Sequence, residues 1–124
     1  MHSKILMIAS AGLMAIIGLA ASFTPQEVLG LHGTVPDNAT VLLVQMAGAV
    51  YLGFAMLNWM ARGILIGGIY ARPVALGNFL HFTMVAITLI KAAIQYGAVP
   101  LAISAAVFSV FAIWFGLVVF RSPV

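Results

Sequence analysis

LAISAAVFSVFAIWFGLVVF, residues 101–120, carries no charged side chain, and only two serines interrupt its apolar run. A helix rises about 1.5 Å per residue, so a run of this length reaches about 30 Å, the thickness of a bilayer's hydrocarbon core. An amphipathic helix on a water-soluble core would keep one polar face, and this segment has none. Three further stretches are long and predominantly apolar, Val74–Tyr96 with a single charged residue, Lys91, and Thr40–Ala61 and Ile5–Phe23 with none. All are continuously apolar rather than alternating, which selects helices over a β-barrel, because each helix satisfies its own backbone in lipid.

The whole composition points the same way. Of 124 residues, 65% are hydrophobic and 6% charged, against roughly a quarter charged in soluble domains, leaving too little polar surface to cover a globule in water. The expected fold is all-α: a polytopic membrane protein, an antiparallel four-transmembrane-helix bundle forming one domain over residues 1–124, with membrane lipid as its solvent. A net charge of +3 comes from five Lys/Arg spread along the chain, which make no basic patch, so no nucleic-acid partner is expected. The chain has no cysteine, which removes disulfides, thiolate metal sites and a cysteine nucleophile. No Walker loop, HExxH or GxSxG motif occurs, and the two acids lie outside the spans, so neither catalytic nor metal-binding residues are assigned and no cofactor is expected.

Lys4, Arg62, Arg72 and Arg121 flank the spans on one side, whereas Glu27 and Asp37 occupy the first loop on the other. The positive-inside rule makes the first side the cytoplasm, with both termini there. Ala20-Ala21-Ser22 after a short basic start has the look of a signal-peptide cleavage site, but the length of the first segment favours a retained helix. Thr24-Pro25-Gln26-Glu27 has the spacing of a capping box with proline at the first helical position, predicting a short interfacial helix over 25–31. Asn38-Ala39-Thr40 fits the glycosylation sequon but abuts the second span and is discounted. The second loop, Arg62 to Pro73, is apolar in its middle and is expected in the headgroup region. The third, around Gly97 to Pro100, is short enough to force an antiparallel hairpin.

Small residues mark where membrane helices approach closely. Ala11, Ala15, Gly18 and Ser22 repeat at heptad-like spacing in the first span, Ala105, Ser109, Ala112 and Gly116 in the fourth, and Ala49 with Gly53 gives one pair in the second.

The third span carries the main functional clue. His81, Met84, Thr88, Lys91 and Gln95 follow steps of three and four, and Asn78 stands one turn earlier. A lysine at the centre of a membrane helix costs about 2.5–3.5 kcal/mol on insertion scales, so this stripe should face the bundle interior or a partner. Matching depth from the loop ends predicts a cytoplasmic-side cluster of Asn58, Arg62, Arg72, Asn78 and His81, with Tyr51 on the same face as Asn58. An outer-side group of Gln45, Lys91 and Gln95, with Glu27 above it, is predicted opposite. Plainer roles compete at each position. Arg62 and Arg72 serve as topology anchors, Lys91 snorkels, Asn58 and Asn78 hydrogen-bond between helices, Trp59 and Trp114 join the interfacial belt, and His81 is a packing residue. Haem ligation within one chain finds only His81 inside the membrane, since His2 and His32 fall on opposite sides.

Phe23-x-Pro25, Gly48-Ala49-x-Tyr51-Leu52-Gly53-x-Ala55-x-Leu57-Asn58-Trp59-x-Ala61-Arg62 and Arg72-Pro73-x-x-x-Gly77-Asn78-x-x-His81, together with the four-span layout, resemble the small four-helix bacterial membrane proteins grouped as DoxX-like. The resemblance covers the whole chain at the level of topology. It implies a bacterial inner membrane and brings over no catalytic residue. Three functional classes are open from sequence: a non-enzymatic accessory subunit that binds a membrane protein or copies of itself, a small oligomeric transporter or channel along the stripe, and a subunit that binds a quinone, haem or lipid.

Overall fold

The computed structural model describes residues 3–31, 35, 37–63 and 72–120. Five helices account for nearly all of them: α1 Ser3–Phe23, α2 Pro25–Leu31, α3 Asn38–Met60, α4 Arg72–Tyr96 and α5 Val99–Phe120. Four are long and apolar enough to cross a membrane, and α2 is the short helix expected after the first span. The expected span boundaries differ from these by about two residues at most, within ordinary fraying of helix ends. The apolar loop between α3 and α4, from Ile64 to Ala71, lies outside the described residues, as do His2, His32 and Arg121.

The ends of the helices have local causes. Asp37 caps α3: its Oδ1 accepts from the Thr40 N–H at 2.7 Å, and its carbonyl accepts from the Val41 N–H at 2.9 Å. Those backbone and side-chain hydrogen bonds from Thr40 hold the Asp37 carboxyl below the ordinary 3.8, because they favour the charged form. Pro25 opens α2 at its first position, where a missing N–H costs nothing. The Thr24 carbonyl accepts from the Val28 N–H at 3.1 Å, which places Thr24 at the cap position of α2, and its hydroxyl donates back to Ala20 O at 2.8 Å. At the other hairpin, Gly97 takes a positive φ of 64° and its N–H reaches Ala93 O at 2.8 Å. This is a left-handed helix stop that glycine adopts without a Cβ penalty.

The chain divides into two compact units, Met7–Met60 and Met1–Leu6 with Ala61–Val124. In the first, α1 and α3 pack antiparallel: Asn58 meets Ser10, Gly18 meets Leu52, and Gly48 meets Ser22. The glycines set the separation. A Cβ on Gly48 would stand 2.6 Å from Ser22 Oγ and 2.8 Å from its backbone nitrogen, and one on Gly18 would stand 2.9 Å from the Leu52 nitrogen. Gly18 and Ser22 therefore sit on the seam as expected. Ala49 and Gly53 do not: both are exposed, and Gly48 with Leu52, one position before each of them, makes the contact.

In the second unit α4 and α5 form the expected hairpin. Ala105, Phe108, Ala112 and Phe115 are the buried face of α5, and Gly116 lets the Phe79 ring approach to 3.0 Å from where its Cβ would stand. Fully buried Phe82 stacks on Phe111 at 5.2 Å and Phe115 at 5.5 Å. Large apolar side chains cover the outside of this protein as well as its core. The outward side of α5 carries Ile103, Val110, Ile113, Leu117 and Phe120, all exposed, whereas its inner side alternates alanine with phenylalanine. An apolar surface this extensive suits contact with hydrocarbon or with a partner.

Candidate functional site

The polar side chains of the spans fall into two sets, according to whether the fold satisfies them. The first set is buried. Asn58 has no exposed surface, and neither has Ser10. Asn58 Nδ2 donates to Ser10 Oγ at 3.0 Å and approaches Met14 Sδ at 4.0 Å, while the Ser10 hydroxyl donates to Met7 O at 3.1 Å. This is the interhelical bond expected of Asn58, with a partner that sequence reasoning missed. Ser10 stands next to Ala11, one position off the small-residue seam. Its signal is a serine one turn before Met14 in an otherwise apolar stretch. Asn78 is likewise fully buried, and its Nδ2 donates to Val74 O at 2.9 Å.

His81 is half-buried among rings. It lies edge-on to Phe82 at 5.1 Å and to Phe108 at 6.3 Å. Thr83 Oγ1 is buried with no hydrogen-bond partner among the described residues. Tyr51 and Arg62 are partly buried and engaged in interactions of their own, and Arg72 opens α4 with a side chain outside the described residues. Of the predicted cytoplasmic-side cluster, then, Asn58 is held by α1, and Asn78 and His81 belong to the α4–α5 hairpin.

The second set is exposed. Met84, Thr88, Lys91 and Gln95 all lie on the open side of α4, and Gln45 on the open side of α3. The stripe expected to face the bundle interior or a partner is split, its later members leaving the buried face of α4, and helical geometry gives the reason. At about 100° per residue, Asn78 lies about 120° around the axis from Met84, whereas Thr88, Lys91 and Gln95 stay within about 40° of it. The buried face of α4 is Ala75, Asn78, Phe82 and Ala86, which centres about 180° from Met84 on the same wheel. The stripe thus begins on the inside and ends on the opposite side. Thr88 adapts by returning its hydroxyl to Met84 O at 2.9 Å, the usual way a threonine is satisfied on a lipid-facing helix. Lys91 and Gln95 are too long to do the same.

An apolar groove of about 400 Å³ runs between α1 and α3, with Ile8, Ala11, Gly12 and Ala15 on one wall and Ala55 and Trp59 on the other. Its walls are hydrocarbon apart from the Trp59 indole, so it offers little to a headgroup or a quinone carbonyl. Among the described residues no three His, Cys, Asp or Glu side chains gather where a metal ion would sit. Comparison with protein-family models, curated proteins and solved structures returns no match for this chain.

Proposed function

We propose that this chain is a non-enzymatic accessory module of a bacterial inner membrane, one of the small DoxX-like bundles, which binds another membrane protein or further copies of itself through the outer half of α4. Its termini face the cytoplasm on this reading, because Lys4, Arg62 and Arg72 flank the spans on that side and cations are retained there. One observation carries the proposal: Met84, Thr88, Lys91 and Gln95 form a heptad-spaced face that is exposed and directed away from the helix's own buried face. Heptad spacing is the geometry by which a second helix docks at a shallow crossing angle. Polar groups inside a membrane are expensive when they face acyl chains, and a docked helix removes that cost. The buried polar groups hydrogen-bond within the fold by contrast: Asn58 and Ser10 join α3 to α1, and Asn78 bonds the Val74 carbonyl of its own helix.

The test is site-specific photo-cross-linking in living cells. A photoreactive amino acid at Thr88 should give a discrete protein adduct, and the same residue at Ile113, on the exposed apolar side of α5, should give lipid adducts only. Protein adducts at neither position, or equally at both, would remove the basis for the proposal.

A further inference from the structure

The face proposed above is charged, and the charge narrows its occupant. Lys91 lies five residues from the end of α4 at Tyr96, about 7.5 Å below it by the helical rise. It is flanked on its own face by Thr88 and Gln95 and shouldered by Ile87 and Ile94, which are 47% and 80% exposed. The strip is therefore an apolar border around one cation and one carboxamide. A helix docking there gains most if it presents an acceptor at the depth of Lys91, and a carboxylate is the acceptor that also neutralises the ammonium.

A second copy at this seam presents no carboxylate within its spans. Its two acids are Glu27 and Asp37. Both lie outside the four spans, and the Asp37 carboxylate is engaged with the Thr40 N–H. Copies inserted the same way round would also set α4 parallel to α4, with Lys91 facing Lys91, and like charges opposed in a low-dielectric medium repel. We infer that the outer half of α4 docks a membrane-spanning helix of a different protein, one that carries an aspartate or glutamate near its outer end. The inference rests on the partner-binding reading above and names the chemistry of the partner.

The experiment uses the full chain, labelled with a fluorescent donor on a cysteine introduced in place of Gly63, in phosphatidylcholine vesicles. Acceptor-labelled leucine-rich transmembrane peptides carry Glu, Gln or Leu five residues from their outer end. Energy transfer to the Glu peptide should exceed that to the Gln peptide by about tenfold in apparent affinity, the ratio that a strong polar contact between membrane helices provides. Lys91→Met should erase the difference, and Lys91→Arg should keep it. Equal binding of all three peptides to the wild-type chain, or a Glu preference that survives Lys91→Met, overturns the inference. If binding is equal and Thr88→Leu with Gln95→Leu abolishes it, the face still docks helices and only the charge assignment fails. Energy transfer between two labelled copies of the wild-type chain that Lys91→Met abolishes would make the occupant a second copy and also overturn it.

Discussion

Two glycines five residues apart on α3 give opposite expectations for the same substitution. A Cβ at Gly48 would stand 2.6 Å from Ser22 Oγ, 2.8 Å from the Ser22 nitrogen and 3.0 Å from Ala21 Cβ, whereas one at Gly53 meets nothing within 4 Å. Gly→Ala in a helix interior gains about 1 kcal/mol of propensity at either position, so that contribution cancels in the comparison. What is left is overpacking at Gly48, where a backbone nitrogen must yield. That costs about 1–3 kcal/mol, or a factor of roughly 5 to 150 in the folded fraction. Gly53→Ala should be neutral or stabilising and Gly48→Ala destabilised relative to it by that amount. The assay is reversible unfolding in mixed micelles with rising dodecyl sulfate fraction, followed by tryptophan fluorescence. Equal stability of the two variants within about 0.3–0.5 kcal/mol, the additivity error of such measurements, would refute the close α1–α3 contact from which the reasoning starts.

Two further outcomes follow from the same unit. Ser10→Ala and Asn58→Ala, measured in that assay singly and together, should show a coupling of about 0.6 and at most about 1.7 kcal/mol, the range for interhelical hydrogen bonds in membrane proteins; strict additivity would mean that the 3.0 Å bond contributes nothing. At Asp37 the folded-state carboxyl lies below the ordinary 3.8, so the cap's contribution is fully present above that value and is lost as pH falls through the lower, folded value. The NMR titration midpoint of Asp37 should fall below 3.8, and Asp37→Ala should speed amide exchange at Thr40. A midpoint at or above 3.8 would contradict the capping geometry.

The sequence makes the four apolar helices legible because lipid as a solvent demands long charge-free runs, and α5 states that demand in a single segment. The hairpin at Gly97 is legible from its length. The seam between α1 and α3 is half legible. Small residues announce a contact, but in α3 two overlapping pairs compete, Gly48 with Leu52 and Ala49 with Gly53, and only three-dimensional packing selects between them. The stripe on α4 misleads for a related reason. Steps of three and four look like one face, yet the two consecutive steps of three from Asn78 through His81 to Met84 turn the stripe by about 120° at about 100° per residue, and the alternating steps after Met84 keep the later members there, away from the core. Ser10 is invisible as a polar site because serine also reads as a small packing residue, and only the arrival of Asn58 distinguishes the two roles. On the proposed reading, the group that lies against Lys91 and Gln95 belongs to another molecule and so has no trace in this sequence.

Four crossings place the α1–α3 and α4–α5 connections on the same side of the membrane, and the proposed orientation makes it the outer one. Because the chain has no native cysteine, single cysteines can report this without background. Cysteines in place of Gln26 and Ala98 should react with a membrane-impermeant maleimide on intact cells, and cysteines in place of Ser3 and Gly63 only after permeabilisation. Labelling of Ser3 or Gly63 positions from outside, or of Gln26 and Ala98 positions only from within, would contradict it.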